Sequence, residues 1–357
     1  MNERAAKVEA LLAKRELGAL LVTSLVQVRW LTGFTGSNAM AVVGPDLRRF
    51  LTDFRYLTQS AEEVGEEWER EIAPDLLAQA AKGFPQEGAH RLGFDDAAIS
   101  VRDHARLREL APKAVELVAA GGLVDGLRAV KDEGEQEKVR AAARLADAAL
   151  EEVLARGLVG RTEREVALDL EITMRRMGAE AVSFPPIVAS GAHGALPHAQ
   201  PRELAIPVGT MVVIDWGAIL DGYASDCTRT YATGEPDPRD REVYELVLRA
   251  QEEALAAIRP GPTGREVDAV ARGIIDTAGH AEHFGHGLGH GVGLEIHEGP
   301  RLSKQSEDRL EAGMVVTVEP GVYVPGAVGV RIEDLVIVGE DGAQIVSSLP
   351  KDLRVVA

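Results

Sequence analysis

The sequence predicts a mixed α/β (α+β) protein of two domains: a small N-terminal α/β domain and a larger C-terminal domain built from two similar halves. Three observations carry this expectation. The chain has 357 residues, beyond the size at which a single hydrophobic core usually stops growing. Its first third alternates short apolar runs with helical patterns, the signature of an α/β layer. Its second part repeats one sequence pattern at a nearly constant offset.

In the first part, Ala19–Thr23, Ala39–Val43 and Val115–Val118 read as strands, and residues 3–17, 75–82 and 101–111 as helices. Gly121-Gly122 then punctuates the chain. A charged stretch from Asp132 to Arg156 places Val139, Leu145, Ala149 and Val153 at helical spacing. The domain boundary is expected near 121–131, giving domains 1–125 and 126–357.

The repeat organises the second part. Thr162-Glu163-Arg164-Glu165 and Thr263-Gly264-Arg265-Glu266 each put a threonine at an N-cap position with an acid three residues later, the capping-box spacing. Gly209–Gly217 and Gly313–Gly321 each run glycine, apolar strand, carboxylate, one residue, glycine. The offset is 101 residues from Thr162 to Thr263 and 104 from Gly209 to Gly313. A pseudo-twofold arrangement with a groove between the halves follows.

Each half offers a second acid on an expected second strand: Asp226 after the turn-like Asp221-Gly222, and Glu333 after Pro325-Gly326. Asp215, Asp226, Glu319 and Glu333 would then meet at the pseudo-axis. Four carboxylates buried together would repel and take up protons, so metal ions are their natural partners.

Seven of the nine histidines fall between 193 and 297. The run Phe284–Gly293, with His286 and His290, is too rich in glycine for a stable helix. It reads as a loop or irregular strand delivering an imidazole to the acids. No Gly-Lys-Ser/Thr follows to make a phosphate loop, and no His-Glu-x-x-His helix is present. One imidazole with several carboxylates suits manganese, with cobalt, iron and zinc as alternatives. Two such ions roughly 3.5–4 Å apart can hold a bridging hydroxide and stabilise an oxyanion. The residues therefore point to metal-assisted hydrolysis.

Charge and cysteine content exclude other classes. There are 39 Lys+Arg against 57 Asp+Glu, a net charge of −18. Nucleic-acid binding normally needs the opposite balance. No apolar run approaches the roughly 20 residues that span a bilayer. The charged first ten residues do not resemble a signal peptide, and a cytoplasmic location is expected. Cys227 is the only cysteine, so neither an intrachain disulfide nor a multi-thiolate metal site can form.

Taken together, these motifs resemble the creatinase/prolidase/methionine-aminopeptidase superfamily, whose catalytic domain has the pita-bread fold. The order Asp215, Asp226, His290, Glu319, Glu333 matches its five-ligand pattern. Within it, Ser190–His198, the His290 loop, His297–Pro300 and Gly329–Asp334 look most like Xaa-Pro peptidases. The resemblance implies that Asp215 chelates one metal, Asp226 and Glu333 bridge two, and His290 and Glu319 complete the set. It implies that Glu319 moves the proton from water to the leaving proline nitrogen, that His198 and His297 contact the scissile carbonyl and leaving group, and that Arg331 orients Asp215 or Tyr323. His286 would line the pocket or support the backbone.

The resemblance further implies a homodimer acting on proline-containing peptides. Trp30–Ser37 resembles bacterial aminopeptidase P-like proteins, so cleavage at the N-terminus of longer peptides is the first expectation and a dipeptide-restricted prolidase the alternative. Creatinase is disfavoured because all five ligands are kept. Methionine aminopeptidase is disfavoured by the N-terminal domain and Arg331, and a non-catalytic binding module by the complete ligand set.

Overall fold

A computed structural model describes residues 2–357. The chain separates into two compact units, divided after Arg128. The expected break after residue 125 falls inside the helix Leu123–Ala129. Gly121-Gly122, with Gly122 at φ 74°, makes only the turn before that helix.

The first unit holds a six-stranded sheet. Its strands are β1 (Ala19–Val22), β2 (Ala39–Gly44), β3 (Leu47–Thr52), β4 (Glu69–Ile72), β5 (His90–Phe94) and β6 (Val115–Ala119), in the order β4-β3-β2-β1-β5-β6. Sequence patterning finds β1, β2 and β6 but passes over β3, β4 and β5. The reason is the charged or polar residues within these segments. Arg48 and Arg49 interrupt β3, yet Arg49 is buried, with Nε on Glu71 Oε1 at 2.5 Å and Nη1 on the Ala80 carbonyl at 3.0 Å. Glu69-Arg70-Glu71 makes β4 a charged edge strand, a common guard against sheet-to-sheet association. The helix expected over 3–17 ends at Lys14, where the chain turns through Glu16 at φ 54°.

The second unit repeats a motif of two helices and an antiparallel sheet. Thr162 and Thr263 cap the helices Glu163–Arg176 and Gly264–Thr277 through complete capping boxes with Glu165 and Glu266. Each box satisfies backbone N–H groups that the first helical turn would leave unpaired. The long charged stretch forms the helix Glu133–Leu154, and Pro238–Ala257 is its counterpart in the second half.

The two apolar strands, Met211–Trp216 and Val315–Val318, are buried between these helices and their flanking strands. Burying each Val or Ile contributes about 1.5–3 kcal/mol, which fixes the strand and the acid at its end. Met211–Trp216 lies between Ile187–Ser190 and Cys227–Ala232, with Asp215 opposite Ile187 and Thr228. Val315–Val318 pairs with Asp334–Val338, and Glu319 follows it directly.

Asp226 and Glu333 do not sit within strands. Asp226 occupies the gap between Tyr223–Ala224 and Cys227–Ala232, and Glu333 the gap between Val328–Arg331 and Asp334–Val338. At both points the chain changes partner: Tyr223–Ala224 pairs with Ala218–Leu220, and Val328–Arg331 with Gly321–Val324, before the next strand joins the main sheet. A carboxylate at the changeover is free of the alternation that would otherwise aim its neighbours outward.

One backbone contact ties the two halves. A Cβ on Gly329 would lie 1.7 Å from the Gly194 carbonyl oxygen. Gly329→Ala is therefore expected to destabilise by at least about 1–3 kcal/mol, the range for overpacking, read as a lower urea midpoint. An unchanged midpoint would show that the contact relaxes freely. Among the described residues, no helix is long and apolar enough to cross a membrane.

Candidate metal centre

Asp215, Asp226 and Glu333 each offer a carboxylate oxygen, and the three oxygens lie within 4.8 Å of one another. His290 joins them to Glu319: its Nε2 lies 3.6 Å from Asp226 Oδ2 and 3.3 Å from Glu319 Oε1. The His290 Nδ1 faces the Gly291 carbonyl at 3.1 Å, and a carbonyl can only accept. A proton on Nδ1 satisfies this contact, and Nε2 faces the acids, where it donates when protonated and would offer its lone pair to a cation when not. The short strand Gly289–Gly291 carries this imidazole, and a Cβ at Gly289 would lie 2.0 Å from the Thr317 carbonyl. Gly287, Gly289 and Gly291 thus permit close backbone approach around His290.

All five residues line one cavity of about 550 Å³, together with His198, His286, His297 and Arg331. His297 packs edge-on against His290, with ring centroids 4.4 Å apart. Arg331 touches both groups expected for it: Nη2 donates to Asp215 Oδ2 at 2.7 Å and Nη1 to the Tyr323 hydroxyl at 2.8 Å. His286 serves both of its alternatives. It lines the cavity, its Nδ1 donates to the Gly287 carbonyl at 2.7 Å, and its Nε2 lies 2.9 Å from the Tyr323 hydroxyl. Tyr323 accepts from Arg331, so it donates to His286, and a continuous chain runs from His286 through Tyr323 and Arg331 to Asp215.

Two threonines escaped the sequence reading. Thr228 accepts from Arg331 Nε at 3.0 Å and donates to Glu333 Oε2 at 2.7 Å, while Thr317 donates to Glu319 Oε1 at 3.1 Å. Each lies two residues from a site acid, Asp226 or Glu319, a spacing that two-residue alternation could have flagged. Phe184, Pro185, Ile296 and Arg301 also line the cavity and carried no sequence signal.

The electrostatics show what the cluster lacks. Burial pushes the Asp226 carboxyl well above the ordinary range, and Glu333 and Asp215 push it the same way. Glu333 is likewise raised by burial and then by Glu319 and Asp215. Asp215 is raised by burial despite the Arg331 charge. For Glu319, burial also pushes upward, but the hydrogen bond and charge of His290 outweigh it and hold the group low. Burial lowers His286 and His297, keeping both imidazoles neutral.

The donor set fits divalent cations. Asp215 Oδ1 and Glu333 Oε1 are buried with no hydrogen-bond partner among the described residues, and buried carboxylate oxygens are rarely left so. Every nearby donor is oxygen or imidazole nitrogen. The Cys227 thiol, raised by burial, donates to the Glu333 carbonyl instead.

Comparison with known proteins agrees with this chemistry. Residues 137–340 match metallopeptidase family M24, and residues 4–130 match the creatinase/prolidase N-terminal domain. An Xaa-Pro dipeptidase of Pyrococcus horikoshii is 34% identical, covering 99% of both chains. The structure of an Xaa-Pro dipeptidase from Bacillus anthracis superposes with a TM-score of 0.94 at 38% identity, covering 99% of both chains. An X-Pro aminopeptidase from Thermotoga maritima gives a TM-score of 0.88 at 36% identity, covering 96% of this chain and 99% of its own. With its paired acids on a pita-bread domain behind a creatinase/prolidase-type N-terminal domain, the chain belongs to metallopeptidase family M24.

Proposed function

We propose that this enzyme hydrolyses the bond before proline in Xaa-Pro dipeptides, using two divalent cations held by Asp215, Asp226, His290, Glu319 and Glu333. The supporting observation is the convergence of these side chains, two with unpaired buried oxygens, on one cavity of about 550 Å³. That volume lies within the roughly 300–1,000 Å³ range of small-molecule sites. Such a bond is a tertiary amide without the N–H that most peptidases use, so a dedicated site is chemically sensible.

The dipeptide reading replaces longer peptides as first choice. The relatives named as dipeptidases support it at least as well, and Arg301 adds a physical reason. Its guanidinium, exposed on the cavity wall, makes no hydrogen bond or ion pair among the described residues. A dipeptide places its terminal carboxylate one residue beyond the scissile bond, where such a cation can hold it. The aminopeptidase reading keeps the support of the Thermotoga neighbour.

When bound, the cations would lower the pKa of water and polarise the scissile carbonyl. Glu319 would accept the proton from the attacking water and pass it to the proline nitrogen as the C–N bond breaks. His198 and His297 would donate to the carbonyl oxygen and the leaving group. Arg331, by holding Asp215 and Tyr323, would fix the acid and the histidine chain behind it. Manganese is proposed as the native ion from the hardness of the donors. The homodimer and cytoplasmic location belong to the same proposal.

The test is reconstitution with Mn2+ or Co2+ and comparison of Xaa-Pro with Xaa-Pro-Yaa. Turnover of the dipeptide, lost in Arg301→Glu, is expected. Preference for the longer peptide would restore the aminopeptidase reading, and no turnover of either with metal bound would remove both. His297→Ala should keep its metal and lose roughly 10²–10³ in kcat, the scale for one preorganised donor. Loss of metal in this variant would instead make His297 a ligand.

A further inference from the structure

We infer that Glu163 is a positioning residue of this site: it clasps both ends of the 190–202 loop and thereby holds His198 on the cavity wall. The inference rests on the peptidase reading above. Glu163 opens the helix Glu163–Arg176, yet its side chain has no exposed surface. Acids are almost never buried so fully unless paired.

Here the pairing is complete. Glu163 Oε1 accepts from the Ser190 amide and hydroxyl, both at 2.8 Å, and from Arg202 Nη2 at 2.9 Å. Oε2 accepts from the Arg202 amide and Nε, both at 3.0 Å, and lies 2.9 Å from His193 Nδ1. One carboxylate thus joins Ser190 and His193 at the start of the loop to Arg202 at its end, the closed geometry of an Ω-loop.

The loop has two connections to the centre. Ser190 ends the strand Ile187–Ser190, which pairs with the strand carrying Asp215. Near its other end, Pro197 and His198 line the cavity, and the Pro197 carbonyl accepts from Arg331 Nη1 at 3.3 Å. His198 itself is exposed, and its position follows that of this loop. A clasp at the loop ends is what can set its position.

The second half uses the same device at a different place. Asp268 is buried in the helix Gly264–Thr277 and accepts two hydrogen bonds from Arg272, at 2.7 and 2.8 Å. It also accepts from the Leu288 amide at 3.0 Å, while Arg272 donates to the Phe284 and His286 carbonyls. An acid–arginine pair again holds a histidine loop. By the 101-residue offset Glu163 matches Gly264, and Asp268 matches Ala167. The acids are therefore not equivalent by descent of the repeat, which is what a requirement for fixed histidine loops predicts.

The test uses the metal-loaded full chain. In Glu163→Gln, amide exchange over residues 191–202 is expected to rise about tenfold or more, with the strands bearing Asp215 and Glu319 unchanged. Its kcat on Xaa-Pro should fall about 10- to 100-fold at unchanged metal content and KM. On a His198→Ala background the same substitution should cost less than about twofold. Arg202→Ala, whose side chain is 40% exposed and so tolerates removal, should show the same changes in smaller degree if Glu163→Gln folds poorly. Unchanged exchange in the loop, or an equal loss of kcat in both backgrounds, would overturn the inference. If the wild-type protein cleaves no Xaa-Pro substrate, the peptidase reading fails by itself, and the exchange experiment still decides the clasp.

Discussion

Asp226→Asn is expected to lose metal and turnover together, with kcat/KM falling by more than about 100-fold. Loss of a partner that merely orients a ligand already costs about 10–100-fold in metal affinity or activity, and Asp226 stands inside the cluster itself. Its carboxylate is buried within 4.8 Å of Asp215 and Glu333 and lies 3.6 Å from His290 Nε2. An amide there keeps the volume and removes the charge. Metal content per chain and activity should therefore fall in parallel. Full metal occupancy with normal turnover would place the ions elsewhere.

The same substitution has a second, opposite signature. Burial and mutual repulsion raise Asp215, Asp226 and Glu333 in the folded state. The stability tied to such groups is present at acid pH and is lost as pH rises through the raised values. Cations that replace the protons reverse this, so the gap in Tm between metal-loaded and chelator-treated protein should widen from about pH 5 to about pH 8. At about 100 Kd of free metal the stabilisation is about 2.7 kcal/mol. Asp226→Asn should abolish the gap and leave the chelated protein more stable than chelated wild type near pH 8. An equal gap at both pH values would remove the electrostatic account.

Arg331→Met is expected to cost about 3–5 kcal/mol, the scale for leaving one member of a buried pair unpaired, and to reduce turnover as well. Burial alone would pull the guanidinium pKa down, but Tyr323, Asp215 and Glu319 around it more than compensate and keep it charged. Its removal takes a donor from Asp215 Oδ2, the Tyr323 hydroxyl and the Thr228 hydroxyl at once. Arg331→Lys should not rescue, because one ammonium cannot span acceptors fixed by a planar fork. Urea unfolding and kcat measure the two effects. A lysine variant equal to wild type in both would reduce Arg331 to a simple counter-charge.

The candidate site was more legible than the fold around it. Acids following apolar runs, repeated at 101 and 104 residues, can be read without any contact map, because strand burial and capping are local properties of the chain. The glycine-rich run bearing His286 and His290 was legible for the same reason, and the resemblance pointed to His290 within it. β3 and β4 were not, since Arg49 becomes a strand residue only when Glu71 and the Ala80 carbonyl arrive to pair with it. Nor could the sequence show that Asp226 and Glu333 sit at partner changes rather than within strands, because the partners lie far along the chain.

By itself, then, the sequence singled out the five candidate ligands, which the structure brings to one cavity, and showed that the four acids come in two matched pairs, one from each half. Only the tertiary structure decided how they are held. It supplied Thr228 and Thr317, the chain from His286 to Asp215, and the Glu163 clasp on the His198 loop. The physical reason is range. Hydrophobic periodicity and capping act over a few residues and leave their mark in order, whereas a buried polar group is stable only when its hydrogen bonds are met. Here those bonds come from residues up to 134 positions away, as between Arg331 and Pro197.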